Sequence, residues 1–177
     1  RRLLPTVVSR CHSIAMPVPG RDAALAWLAQ QDIVEQDIAL AQAGYAPLAA
    51  AEIAERENQG QRREFLHQIS MPRLDPLALA ENARRYLLSD VVSWLQKWIC
   101  DLAYCKITGN VRYHLDFAEA LRNLSTVVDA SRLMHYYREL LAAQRALLHP
   151  LNSQLVLAQL AVSYHRWVLN SKEVYHG

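Results

Sequence analysis

The stretch LSDVVSWLQKWICDLAYCKITG, residues 88–109, carries the longest hydrophobic pattern of this 177-residue chain. Its apolar residues recur at intervals of three and four, which is the spacing of one face of an α-helix. That face consists of Leu88, Val91, Val92, Leu95, Trp98, Ile99, Leu102 and Ala103. Gly109 follows, and glycine readily adopts the left-handed conformation that ends many helices. The stretch therefore predicts a long helix with one face buried in a core.

Shorter helices are predicted on both sides of this stretch. Asp75 can cap a helix that starts at Pro76, and Asn152 can cap the last helix of the chain. Between them, helices are predicted over residues 113–124 and after Asp129. The residues expected to be buried on these last three helices are Phe117, Leu121, Leu124, Leu133, Met134, Tyr137, Leu140, Leu141, Leu147, Leu148, Leu155, Leu160, Ala161, Tyr164 and Val168.

Three short helices are predicted before residue 60, and a fourth covers residues 61–70. The first starts at Asp22, and the second runs over residues 35–43, with Gly44 placed as a left-handed cap. The third starts at Pro47, whose missing N–H is tolerated in a first helical turn. Proline residues near Met71 mark the next break. These patterns divide the chain into the ranges 1–19, 20–70 and 71–177.

The composition favours an all-α fold. Hydrophobic residues make up 52% of the chain, and there are only five glycines. Alanine and leucine, which are strong helix formers, dominate the sequence, so helices are favoured over turn-rich sheets. The hydrophobic content is sufficient for a buried core and argues against disorder.

Charge and cysteine content limit the function classes. A net charge of +2 is too small to predict a nucleic-acid surface, which normally concentrates positive charge on one face. The sequence contains neither an apolar run long enough to span a membrane nor a signal-peptide pattern. Its three cysteines fit a reducing compartment and are expected to be buried thiols. A cytoplasmic location is therefore expected.

The N-terminal motif Leu-Leu-Pro-Thr-x-x-Ser-Arg-Cys, residues 3–11, resembles the delta-prime family of bacterial DNA polymerase III clamp-loader subunits. The similarity continues through Pro17, Pro19, the Ala-Trp-Leu at 26–28 and the stretch AGYAPLAA at 43–50. It returns at PLNSQL, residues 150–155, and then at Leu157, Leu160 and Tyr164. Between about residues 60 and 145 the pattern is that of helices in general. The chain starts inside the motif and without methionine, so we expect a C-terminal fragment.

The resemblance implies an architecture and a set of partners. Residues 1–19 would be the tail of an AAA+ core domain, 20–70 a three-helix lid domain and 71–177 a helical collar domain. The chain would assemble with gamma or tau and delta subunits through the collar, and would meet the sliding clamp and primed DNA only through the whole complex. The family is a subunit of the DNA-directed DNA polymerase holoenzyme, a nucleotidyltransferase that acts in DNA replication. The fragment itself is expected to catalyse nothing.

The resemblance also implies specific roles for residues. Arg10 would act in trans as an arginine finger on ATP bound by the neighbouring subunit, because a guanidinium can bridge phosphate oxygens. Ser9 and Cys11 would position Arg10, and Cys11 is expected to be a small buried residue. In the ATP-hydrolysing members a lid arginine senses nucleotide, and the corresponding position here is Leu48. This substitution favours the non-hydrolysing delta-prime member.

Two alternatives stay open. The first is a fragment of a gamma- or tau-type motor ATPase, and the upstream sequence would decide it, since an intact phosphate-binding loop is expected there. None of the five glycines in this chain builds such a loop. The second is an unrelated helical adaptor or DNA-binding module, for which salt-sensitive DNA binding would be diagnostic.

The remaining residue groups predict structure rather than chemistry. Cys100 and Cys105 lie five residues apart and have no nearby histidine pair, so no metal site is expected. The seven histidines form no recognisable catalytic motif. The pairs 62–63 and 84–85 are arginines that are expected on polar, solvated helix faces. The aromatic residues Tyr136, Tyr137, Trp94 and Trp98 are expected mainly in the core.

Overall fold

The structure is a computed structural model that describes residues 4–12, 14, 17–55, 59–147, 149 and 152–170. In these ranges the chain is helical or irregular and contains no strand, which confirms the all-α prediction. Predictions that involve residues 1–3, 13, 15, 16, 56–58, 148, 150 and 151 lie outside the described residues. Within the described part, no helix is long and apolar enough to cross a membrane.

The described ranges contain ten α-helices. They are α1 (Pro5–Val8), α2 (Arg21–Ala29), α3 (Gln36–Gln42), α4 (Pro47–Glu55), α5 (Gln59–Ser70), α6 (Pro76–Ala83), α7 (Leu88–Thr108), α8 (Ala118–Val127), α9 (Ala130–Ala146) and α10 (Ser153–Tyr164). A 3₁₀ turn over Leu115–Phe117 leads into α8, and a π-helical turn over His165–Leu169 extends α10.

Helices α2, α3 and α4 enclose a small hydrophobic cluster. Its buried members are Ala24, Leu28, Ala39, Leu40 and Ala50. Gly44 ends α3 with φ +65°, which confirms the predicted left-handed cap, and Tyr45 also has a positive φ of +70°. The small side chains let these three short helices approach closely, although the cluster itself is only a few residues wide.

Helices α5 to α10 share a larger core that is built around α7. The predicted face of α7 is confirmed, since Val91, Val92, Leu95, Trp98, Ile99 and Leu102 are all buried. Gly109 ends α7 with φ +73°. Helix α5 adds Phe65, Leu66 and Ile69 to this larger core. The division of the chain into domains at residues 20 and 71 stays a prediction.

The two predicted side-chain caps, at Asp75 and Asn152, are formed, and Asp129 forms a third that was not predicted. The carboxylate of Asp75 accepts from the N–H groups of Leu77 and Ala78 at the start of α6. Asp129 does the same for α9, and Asn152 for α10. Each cap satisfies backbone donors that have no partner within the helix, and so fixes where the helix begins.

Three predictions for the C-terminal helices were wrong. The helix expected from residue 113 begins at Ala118, because residues 112–114 are held by hydrogen bonds to Asp101. Met134 is 52% exposed, since the buried face of α9 runs through Leu133, Tyr136 and Leu140. Leu155 is 68% exposed in the first turn of α10, where Leu157 is buried instead.

A chain of buried hydrogen bonds crosses the larger core. The Trp98 indole N–H donates to the Tyr164 hydroxyl at 3.0 Å, and that hydroxyl donates to the Ile69 carbonyl at 2.9 Å. Burial raises the pKa of Tyr164 above its ordinary range, so the hydroxyl stays protonated and can fill both roles. The hydroxyl therefore joins α5, α7 and α10 at one point.

We expect Tyr164→Phe to lower the free energy of unfolding by about 1–3 kcal/mol, because it leaves the Trp98 N–H and the Ile69 carbonyl buried without a partner. Urea unfolding followed by circular dichroism measures this change. Tyr104→Phe, which alters an exposed side chain of α7, is the matched control and should change stability by less than about 0.5 kcal/mol. Equal midpoints for the two variants would contradict the prediction.

Candidate functional site

The Ser9-Arg10-Cys11 motif lies exposed directly after α1. The Ser9 hydroxyl donates to the Thr6 carbonyl at 3.2 Å, and Arg10 Nη1 donates to the same oxygen at 3.4 Å. Among the described residues, no carboxylate lies within ion-pair distance of Arg10. Cys11 is exposed, so its predicted burial was wrong, because this segment packs against neither hydrophobic cluster. The guanidinium is thus presented to solvent.

Leu48 lies in the first turn of α4 and is 70% exposed. Its side chain can offer neither a charge nor a hydrogen bond. Leu48, which the resemblance predicts to be the sensor position that lacks arginine, is accessible to solvent. It lies on the exposed side of α4, apart in sequence from the motif that contains Arg10.

Arg62 lies on α5, between the small hydrophobic cluster of α2–α4 and the larger core of α5–α10. It is only 2% exposed, so its predicted place on a solvated face was wrong. Its Nη2 forms an ion pair with Asp116, and its Nε donates to Gln59 Oε1 at 3.2 Å. The Gln59 amide in turn donates to Gln42 of α3 at 3.1 Å. Burial lowers the pKa of Arg62, an effect that the Asp116 carboxylate opposes.

The neighbouring arginines follow the prediction of solvated salt bridges. Arg63 pairs with Glu35, the residue before α3, and its Nε lies 3.8 Å from Asp116. Arg84 pairs with Glu81 at 2.7 Å, and Arg85 pairs with Glu64. Exposed pairs of this kind contribute less than about 1 kcal/mol each. Of these pairs, only that of Arg63 holds Glu35, the residue before α3, against α5.

Asp101 and His114 form a fully buried pair next to Arg62. The Asp101 carboxylate accepts from the backbone N–H groups of Arg112, Tyr113 and His114 at 2.8–2.9 Å. It also contacts His114 Nδ1 at 2.9 Å. Because these oxygens only accept, Nδ1 carries a proton, and in the neutral imidazole Nε2 is then an acceptor. Burial lowers the pKa of His114, although the hydrogen bond to Asp101 opposes this effect.

A cavity of about 200 Å³ opens between the two clusters beside this network. Its polar walls are Gln42, Arg62, Asp90, Ser93, Lys97 and His114. Ile53 and Trp94 provide apolar walls. Burial lowers the pKa of Lys97, and the nearby charge of Arg62 acts in the same direction. The site combines hydrogen-bond donors and an acceptor with apolar surface, which is the usual make-up of a small-ligand site.

The network offers hydrogen-bond donors and acceptors to a bound group. Within the described part of the chain, no group of three or more His, Cys, Asp or Glu residues could hold a metal ion. Asp101 and His114 are fully enclosed, and no nucleophilic side chain is hydrogen-bonded to the free nitrogen of His114. Sequence reasoning missed Arg62, Asp101, His114 and Asp116, although each can be located by its place on a helix face or turn.

Comparison with known proteins identifies the bundle. The sequence model of the family described as "DNA polymerase III, delta subunit, C terminal" matches residues 56–165. The chain belongs to this family. DNA polymerase III subunit delta' of Pseudomonas aeruginosa is 30% identical over 116 residues, which are 60% of this chain and 35% of that protein. The chain thus spans about a third of the length of this curated relative.

The family match separates the two candidate regions. It begins just before α5 and ends at the first residue after α10, so it covers helices α5 to α10 but not Val168, a buried core residue in the π-helical turn. Arg62, Asp101, His114 and Asp116 therefore lie within the family domain. Arg10 and Leu48 lie outside it, and their roles depend on the motifs around them.

Proposed function

We propose that this chain is the C-terminal part of a non-hydrolysing, delta-prime-type subunit of the DNA polymerase III clamp loader. The observation that carries the proposal is the family match over the complete α5–α10 bundle. In this role the bundle is a collar that assembles with gamma or tau and delta subunits. The complex then loads the sliding clamp onto primed DNA, while this chain provides a rigid member of the ring.

Arg10 would be the residue through which this subunit influences ATP hydrolysis. Its exposure, and the absence of a carboxylate partner among the described residues, leave the guanidinium able to reach a neighbouring subunit. Arginine can place two N–H groups on phosphate oxygens and stabilise charge in the transition state of phosphoryl transfer. Leu48 supports the non-hydrolysing assignment, because leucine cannot contact a phosphate. ATP would be held by the neighbouring subunit alone.

The exposed faces of α6 and α10 are the proposed contact with a partner collar. Leu77, Leu155 and Val162 are large apolar side chains that are about half or more exposed. Leu155 and Val162 are seven residues apart, so they lie on the same face of α10. A helix that is apolar on several faces normally packs against neighbours on more than one side. A partner helix would remove these residues from water.

We expect this chain to form a stable hetero-oligomer with the collar-containing region of a cognate gamma or tau subunit. Size-exclusion chromatography with light scattering measures the mass of the eluting species. The double variant L155D/V162D should abolish the complex, because it would bury two carboxylates without partners. Leu48→Asp, on the exposed side of α4, is the control and should assemble normally. Two separate peaks for the unmodified chain would overturn the bundle as the unit of assembly.

A further inference from the structure

The cavity beside Arg62 contains two buried nitrogen atoms whose hydrogen-bonding capacity is unused. Among the described residues, Arg62 Nη1 and His114 Nε2 have no hydrogen-bond partner. Both side chains line the same cavity, and both are more than nine-tenths buried. Buried polar atoms without partners are uncommon and costly in folded proteins, so this arrangement points to a bound group.

The two nitrogens demand opposite partners. Arg62 Nη1 can only donate, since the guanidinium is permanently charged. In the neutral imidazole, which burial favours, His114 Nε2 can only accept, because Nδ1 holds the proton against Asp101. A ligand that satisfies both must present one acceptor and one donor. Trp94 and Ile53 offer apolar contact to whatever carries these two groups.

We propose that this cavity binds a primary carboxamide, with its carbonyl oxygen on Arg62 Nη1 and its NH₂ group on His114 Nε2. Lys97 and Ser93 line the same space and can offer further donors to the carbonyl oxygen. A carboxylate fits less well, because its second oxygen would face the lone pair of Nε2. The carboxamide can come from a glutamine or asparagine side chain of a partner protein or from a free small amide.

A carboxamide bound in this cavity would stabilise the arrangement of the helices that line it. The walls of the cavity come from α3 and α4 on one side and from α5 and α7 on the other. A carboxamide held there lies against residues of α3 and α4 and of α5 and α7 at once. It therefore stabilises their relative arrangement in addition to the links that Gln42, Gln59 and Arg62 already provide.

The test is a titration of the ¹⁵N-labelled chain with propionamide, followed by long-range ¹H–¹⁵N spectra of the histidine imidazoles. We expect a saturable shift of His114 Nε2, with half-saturation at roughly 1–10 mM for so small a ligand. Butanone has the same shape but no N–H donor, and it should bind about 2- to 12-fold more weakly. Propionate should also bind more weakly. His135, which stacks on Trp167 with ring centroids 5.1 Å apart, is the internal reference and should not shift.

Two further measurements, one on serine variants and one with peptides, complete the test. Ser93 lines the cavity from α7 and is not a hydrogen-bond partner of Arg62 or His114, so Ser93→Leu should fill the cavity and abolish the shift, whereas the exposed Ser89→Leu should not. Tighter binding of a blocked glutamine peptide than of its norleucine counterpart, and than of propionamide, would assign the site to a partner's side chain. A shift that grows linearly, or that butanone reproduces at equal affinity, would overturn the proposal and leave the cavity to water.

Discussion

Replacing Asp101 with alanine is expected to lower the free energy of unfolding by about 3–5 kcal/mol. The carboxylate is fully buried and accepts three backbone N–H groups as well as the His114 ring. Alanine leaves all four of these donors without a partner in the interior, and each such group costs about 1–3 kcal/mol. The turn of residues 112–114 would then have to open to water or rearrange.

The measurement is equilibrium unfolding in urea, with the midpoint as the readout and the slope as a check on compactness. Asp129→Ala is the matched control, because Asp129 also accepts from backbone N–H groups but lies on the surface as a helix cap. We expect that control to cost about 1 kcal/mol. If both variants lost the same stability, Asp101 would be an ordinary cap rather than the residue that organises this turn.

Helix faces and caps could be predicted from the sequence because they depend on neighbours along the chain. The face of α7 follows from spacing alone, and the caps at Asp75 and Asn152 follow from the residue type before each helix. Gly44 and Gly109 end their helices where a left-handed conformation is needed. The exposed Leu155 and Met134 were missed, because local spacing does not fix which side of a helix meets the core.

The polar network at the junction could not be predicted because its partners are far apart in sequence. Arg62 pairs with Asp116, 54 positions later, and without that partner an arginine is expected in solvent. The sequence nevertheless indicates that Arg62 is buried. Arg62 precedes Phe65, Leu66 and Ile69 by three, four and seven residues, so it shares their face of α5.

The position of Asp101 in the sequence also indicates that it is buried. It lies three residues after Trp98 and four before Cys105, which places it on the buried face of α7. A charged residue at a core position of an otherwise regular pattern indicates a buried partner, and here that partner is the turn that ends in His114. The later start of α8 accompanies this pairing, because the bonds to Asp101 hold the turn of residues 112–114, in which His114 has a non-helical backbone conformation.

The other large expected effect concerns Arg10. In the assembled clamp loader, built with the full-length subunit, Arg10→Ala is expected to lower the ATP hydrolysis rate by about 10³-fold. The reason is electrostatic, since removal of a trans-acting guanidinium leaves the charge on the transferring phosphoryl group less well stabilised. Arg10→Lys should recover only a small part of the rate, because an ammonium group cannot bridge two phosphate oxygens.

The control for this experiment is Arg73→Ala, which removes an equally exposed arginine from the connection between α5 and α6. It should leave the hydrolysis rate unchanged, and light scattering should show that both variant complexes have the mass of the unmodified loader. A normal rate in an intact Arg10→Ala complex would reject the arginine-finger role and leave the assembly role standing. A low rate that accompanies loss of mass would instead assign Arg10 to the subunit interface, because a residue that acts only on the transition state cannot change how the ring holds together.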